Sequence, residues 1–126
     1  MEQIVKYSDI LSLHIPLTRE TRQLVNEEYL LHFKKPIYFV NTSRGEIVNT
    51  KAVLNSITKG RIKGAAFDVL EVEKFPPLQE QFWFKELVSN GKVLLSPHVA
   101  GWSYESYERI SQVLAEKLKS LDLSKN

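Results

Sequence analysis

Four short stretches of this sequence end on side chains able to bind an anion or move a proton. They are LHIPLT with His14, Pro16 and Thr18, NTSRG with Thr42, Ser43 and Arg44, DVLEVE with Asp68, Glu71 and Glu73, and SPHVAG with His98 and Gly101. Arginine presents a rigid fork that meets a carboxylate through two charge-assisted hydrogen bonds, which lysine cannot reproduce geometrically, so Arg44 suits an anionic substrate. Histidine titrates near neutrality, so His98 suits handing a proton to a developing alkoxide or taking one from an alcohol. A carboxylate within hydrogen-bond reach of that imidazole fixes its tautomer and favours its charged form, a task open to Glu73. The set as a whole suits proton transfer at a carbonyl or hydroxyl next to a carboxylate.

Each residue also has a plainer reading. Taken alone, His98 after proline is more often a structural histidine near the start of a helix, and Arg44 in a Ser-Arg-Gly turn a surface ion pair of little energy. Glu71 and Glu73 singly read as solvated loop charges, and Asp68 as a helix or turn cap. His14 is ambiguous, and His32 in LLHFKK reads as helix surface. The balance moves to chemistry because all four sets lie at the ends of apolar runs.

Those runs are DILSLHI (9–15), IYFVN (37–41), GAAFDVL (64–70) and KVLLS (92–96), nearly continuously apolar at their centres, as expected of parallel strands covered on both faces. Between the first two, Asn26 is a cap, Glu27 and Glu28 favour a helix start, Lys34 and Lys35 favour its end, and Pro36 stops it. A second helix runs from Asn49 as cap through Val53, Leu54 and Ile57 to Gly60, a glycine suited to the left-handed residue after a helix. Ser103 caps a longer one, in which Tyr107, Ile110, Leu114, Leu118 and Leu121 recur at three- and four-residue steps and read as core. EQFWFKELVSNG predicts a short helix before an Asn-Gly turn, with Phe82, Trp83 and Phe84 packed over an edge of the sheet; Trp102 and Tyr104 are expected to pack against the sheet too. EKFPPLQEQ is the most loop-like stretch, since its paired prolines fit neither a helix interior nor a central strand. The alternation predicts an α/β fold, an open parallel sheet with flanking helices and right-handed crossovers. In such sheets ligands bind beyond the carboxyl ends of the strands, where the four polar sets fall.

Length and composition bound the rest. A chain of 126 residues without repeat or linker fits one domain, and 43% apolar with 25% charged residues is ordinary for a globular protein. No apolar run approaches the roughly 18 residues needed to cross a bilayer, so no membrane partner is expected. MEQIVKYSD lacks the pattern of a secretory signal, and without cysteine there is neither a disulfide nor a thiolate metal site; a cytoplasmic location is expected and no metal. The 17 basic and 15 acidic residues are dispersed, leaving no long basic stripe for nucleic acid.

SLHIPLT, VNTSRGEIVN, GAAFDVLEVE and LLSPHVAGWS, in this order, resemble the C-terminal half of the Rossmann-type NAD-binding domain of the D-isomer-specific 2-hydroxyacid dehydrogenases, over nearly the whole chain. DVLEVEK is most similar to the phosphoglycerate dehydrogenase branch, which makes 3-phosphoglycerate one candidate substrate. The resemblance implies NAD as cofactor, with NADP left open, and a hydride passing between nicotinamide and C2 of a small D-2-hydroxy or 2-oxo acid. It implies that Arg44 holds the substrate carboxylate, that His98 is the acid/base, and that Glu73, five residues after Asp68, is its acidic partner. Asp68 is then the residue that orients the nicotinamide carboxamide. His14, Ile15 and Pro16, Thr42, Ser43 and Arg44, and His98, Ala100 and Gly101 form the wall of the NAD pocket.

The family's G-x-G-x-x-G, which brings backbone amides to the pyrophosphate, is missing: the five glycines stand at 45, 60, 64, 91 and 101. Residues 1–126 therefore read as a partial NAD-binding domain, without its glycine-rich half or a substrate domain, expected to bind NAD poorly and to be inactive alone. Its first strand, lacking a neighbour, is expected to recruit a second copy and form a homodimer. KFPP follows Glu73 where the family has a close proline, which keeps Glu71 in contention for the carboxylate role. The resemblance also admits a function of another class, a NAD-sensing interaction domain similar to the dehydrogenase-like transcriptional corepressors, which keep the arginine, glutamate and histidine.

Overall fold

The computed structural model describes residues 2–120. Its centre is a four-stranded, all-parallel sheet of β1 (Ile10–Leu13), β2 (Ile37–Asn41), β3 (Ile62–Phe67) and β4 (Val93–Leu95), side by side in chain order. Parallel neighbours need crossovers. These carry α2 (Glu27–Leu31), α3 (Thr50–Thr58), and the short pair α4 (Pro77–Glu80) and α5 (Phe84–Ser89); α1 (Glu2–Tyr7) precedes the sheet and α6 (Tyr104–Ser120) follows it. The open parallel sheet with flanking helices is the architecture the alternation of runs predicts.

Register is what makes the sheet a platform. Leu13 pairs with Asn41, Asn41 with Phe67 and Phe67 with Leu95, so the four strands finish in step. The next residues, His14, Thr42, Asp68 and Ser96, therefore stand in a row, each about 4.8 Å from its neighbour's strand.

Both asparagine caps form as expected. Asn26 Oδ1 accepts from Tyr29 N (2.9 Å) and Asn49 Oδ1 from Ala52 N (2.9 Å), each satisfying an amide that the first turn leaves without a partner. Gly60 takes φ 71 after α3, as its position implies. The lysines depart from expectation: α2 stops at Leu31, Lys34 N bonds Val5 O (3.0 Å), and Lys35 reaches Asp9 (2.7 Å). Phe33 is buried just past the helix end, and a bond to α1 replaces a further helical turn. The prolines of the loop-like stretch start a helix instead. Pro77 opens α4, where a missing N–H costs nothing.

The largest correction concerns coverage. One face of the sheet, with Leu11, Leu13, Ile37, Phe39, Ile62, Ala65 and Phe67, shares a single core with Leu30 of α2, Val53, Leu54 and Ile57 of α3, and Trp83 and Leu87. The strands are not covered on both faces: Ile10, Tyr38 and Leu94, which point the other way, are 61%, 51% and 75% exposed. Nor is the stripe of α6 core, since Tyr107, Ile110, Leu114 and Leu118 are all more than half exposed; Leu121 lies outside the described residues. Trp102, Tyr104 and Phe82 do not pack on the sheet either, whereas Trp83 is buried and Phe84 lies against the core. Periodicity identifies which face of an element is apolar, and says nothing of what covers it.

Candidate functional site

Each strand end is held by a different local device. At the end of β2, buried Asn41 turns its amide along the chain: Oδ1 accepts from Ser43 N (3.1 Å) and Ser43 Oγ (2.9 Å), while Nδ2 donates to Arg44 O (3.1 Å). This closes the turn that presents Arg44, whose Nη1 donates to Ser43 O (2.6 Å). No carboxylate lies within ion-pair distance of Arg44 among the described residues, so the plainer surface-pair reading finds no partner there.

At the end of β3, Asp68 is buried and accepts three bonds, from Ser96 Oγ (2.6 Å), Val99 N (2.9 Å) and Ala100 N (3.0 Å). Successive amides aimed at one carboxylate form an anion-binding concavity. Burial works against the charge of Asp68, but the bonds from Ser96, Ala100 and Val99 and the nearby His98 outweigh it, holding the carboxyl below its ordinary 3.8. The turn thus anchored places His98 at φ 59, a left-handed conformation uncommon for a residue with a Cβ.

His98 Nδ1 lies 3.0 Å from Glu73 Oε2, and Glu73 Oε1 accepts from Leu70 N (3.2 Å). The two side chains are 50% and 42% exposed, so the pair contributes orientation more than stability. Glu71, the rival carboxylate, borders the same cleft, but its oxygens accept from Thr50 N (2.5 Å) and Gln23 Nε2 (2.9 Å) instead of meeting the imidazole.

Arg44, Glu73 and His98 line one open cleft of about 350 Å³. Arg44 also borders a trough of about 500 Å³ between residues 14–17 and 42–44, which brings His14, Ile15, Pro16, Thr42 and Ser43 together. His14 Nε2 there meets Ser12 Oγ (2.8 Å). Ala100 and Gly101 are exposed beyond His98, and Ala100 N is already committed to Asp68. His32, exposed and bonded through Nδ1 to Glu28 O (2.8 Å), stays outside the site. No cluster of three or more metal-ligating side chains occurs among the described residues.

Three contributors lie outside the residues singled out for chemistry: Asn41 inside a strand and Gln23 in a polar loop, neither with a signature in the residue pattern, and Gly45. A Cβ on Gly45 would stand 1.9 Å from Leu70 O, so the segments carrying Arg44 and Glu73 touch backbone to backbone there. A glycine directly after the arginine was the available signal.

The trough at the ends of β1 and β2 is polar and open, with exposed His14 and Thr42 beside Arg44 as groups that could hold a polar ligand. Glycine-spaced amides for a pyrophosphate are not part of this sequence. Residues 1–100 match the family model described as "D-isomer specific 2-hydroxyacid dehydrogenase, NAD binding domain". The chain belongs to this family. Among relatives of this dehydrogenase domain, the glyoxylate reductase of Thermofilum pendens is 39% identical over 118 residues, 94% of this chain and 33% of that protein. The glyoxylate reductase of Aeropyrum pernix is 41% identical over the same shares. In space, the NAD-complexed D-isomer specific 2-hydroxyacid dehydrogenase of Lactobacillus delbrueckii ssp. bulgaricus superimposes with a TM-score of 0.77 at 30% identity, covering 94% of this chain and 38% of that one. The D-lactate dehydrogenase of Aquifex aeolicus, complexed with NAD and lactic acid, gives 0.74 at 31% identity over the same shares. The chain spans about a third of the length of the curated relatives it matches. The cofactor of the family is NAD.

Proposed function

We propose that this chain forms the nicotinamide-facing half of the active site of an NAD-dependent D-2-hydroxyacid dehydrogenase acting on a small 2-oxo or 2-hydroxy acid. The observation that carries the reading is the single cleft lined by Arg44, Glu73 and His98, with the imidazole against the carboxylate at 3.0 Å. The residues of the strand-end trough, His14 to Pro16 and Thr42 to Arg44, hold the cofactor, which when bound supplies or receives the hydride. Arg44 grips the substrate carboxylate with its fork. His98, through Nε2, gives its proton to the substrate oxygen on reduction and takes it back on oxidation. Glu73 keeps the Nδ1 proton in place and offsets the positive charge of the protonated ring. Asp68 builds the turn that presents His98, Ala100 and Gly101, and three bonds leave one of its roughly four lone-pair directions for a carboxamide donor. The glyoxylate reductases among the relatives favour a short 2-oxo acid over 3-phosphoglycerate. No observation favours the interaction-domain reading.

Alone, the chain is expected to turn over no substrate, because it brings one wall of the site. A chimera tests the assignment: the 118 matched residues of this chain replace the corresponding third of the Thermofilum pendens enzyme. NADH-dependent glyoxylate reduction is expected to survive, and His98→Asn to lower kcat by about 10²–10⁴-fold, the range for a positioned acid/base. Full activity of the His98→Asn chimera would sink the proposal. We further propose a homodimer through β1, whose outer edge meets no strand among the described residues. Light scattering should give twice the chain mass, and a monomer at millimolar concentration would refute it.

A further inference from the structure

We propose that Glu71, clamped by Gln23, is a positioning residue that sets Glu73 against His98. The inference rests on reading Glu73 and His98 as the proton-transfer pair.

Glu71 and Glu73 sit on one short loop after β3, yet only Glu73 touches the imidazole. The Glu71 carboxylate is used at both oxygens: Oε1 accepts from Thr50 N at the start of α3 (2.5 Å), and Oε2 from Gln23 Nε2 (2.9 Å). A carboxylate at a helix start is favoured by the unpaired amides and the helix dipole, so this end of the loop has a fixed mooring. Gln23 is itself immobilised. Its Oε1 accepts from Asn49 Nδ2 (3.0 Å), the cap of α3, and its backbone N donates to Glu46 O (2.9 Å). The adjoining Val25 is laced to the 47–49 segment by Val25 N to Ile47 O (3.0 Å) and Asn49 N to Val25 O (2.9 Å).

Gln23 holds φ 54, a left-handed backbone that persists only where the surroundings over-determine it. Here the hydrogen bonds of its side chain and backbone, and those of the adjoining Val25, do so. On the other side of the loop, Gly45 lies against Leu70 O and Glu71 N, which leaves the loop no room to slide toward Arg44. Two residues past Glu71, Glu73 folds back onto Leu70 N (3.2 Å) with one oxygen and reaches His98 with the other. The loop end near α3 is fixed, so the reach of Glu73 is fixed as well. The exposed Glu73 and His98 alone would not maintain that geometry.

The tautomer of neutral His98 reads the effect without any turnover. In the ¹⁵N-labelled full chain, ring ¹⁵N shifts report which nitrogen carries the proton. Wild type is expected to hold it on Nδ1, facing Glu73, and E73A to move it to Nε2. E71A is expected to lower the Nδ1-H to Nε2-H ratio by about fivefold, the equivalent of one ordinary hydrogen bond. E71A/E73A should match E73A, because Glu71 acts only through Glu73. A wild-type ratio in E71A overturns the proposal, as does an unchanged ratio in E73A. A further shift in the double variant also overturns it, by making Glu71 a direct partner of the ring. Should E71A not fold, Q23A takes its place: a lowered ratio is expected there too, and a wild-type ratio overturns the proposal. The chimera tests catalysis separately, so loss of the dehydrogenase reading and loss of the clamp give different results.

Discussion

A side chain with a Cβ enters the left-handed region at a cost of about 1–3 kcal/mol, and His98 is held there at φ 59. What offsets the cost is Asp68, whose carboxylate collects the Val99 and Ala100 amides immediately after the strained residue. In D68N one of the three donors meets an NH₂ group instead of an oxygen, a loss of about 1–3 kcal/mol for a buried polar group left unmatched. The sign of the pH dependence follows from the lowered carboxyl. A group whose folded value lies below its unfolded one adds stability that is complete above the unfolded value, 3.8 for this carboxyl, and is lost as pH falls through the folded value. Urea midpoints are therefore expected to separate wild type from D68N most at neutral pH, with the gap closing below about pH 4. A constant gap down to about pH 2 would mean that the carboxylate charge is not what secures the turn. The residue types mark His98 and Arg44 as candidates because their chemistry is distinctive. Asp68 as anchor and Asn41 as turn-builder emerge only from the fold, since carboxylates and amides look alike in sequence whether they face ligand, solvent or their own backbone.

Between elements, the decisive contact is the touch of the 44–46 turn and the 70–71 loop. Gly45→Ala forces its methyl onto Leu70 O, which backbone cannot yield as a flexible side chain would. Expected is a destabilisation of about 1–3 kcal/mol or more, as for an overpacked core, with loss of the His98 tautomer preference. Thermal unfolding and the ring ¹⁵N shifts check the two effects together; a stable variant with wild-type ring shifts would show that the loop moves independently of the turn. Elements are legible where local chemistry marks them. Asn26, Asn49 and Gly60 work as caps because each solves a problem within four residues of itself, and IYFVN is a strand over its full length. Where a long-range partner competes, the sequence misleads: Lys34 bonds α1 and Lys35 bonds Asp9 in place of finishing α2. The choice between Glu71 and Glu73 is of this second kind, decided in geometry by Thr50 and Gln23, far away in sequence.

At the scale of the whole molecule the sheet is lopsided, with every packed helix on one face and Ile10, Tyr38 and Leu94 bare on the other. α6 adds a second uncovered apolar surface and buries none of its residues. At 17 residues it is little longer than the 12–15 below which isolated helices are marginal in water, so its order depends on whatever covers the stripe. Hydrogen exchange on the free chain is expected to show α6 amides exchanging at least about 100-fold faster than those of β2, which sits between two partner strands over a closed core. If α6 and β2 exchange alike at micromolar concentration, the stripe is packed within one chain and the one-sided picture is wrong. Protection of α6 that rises with chain concentration, while β2 stays unchanged, identifies a second copy as the cover and places α6 in the homodimer alongside the β1 edge.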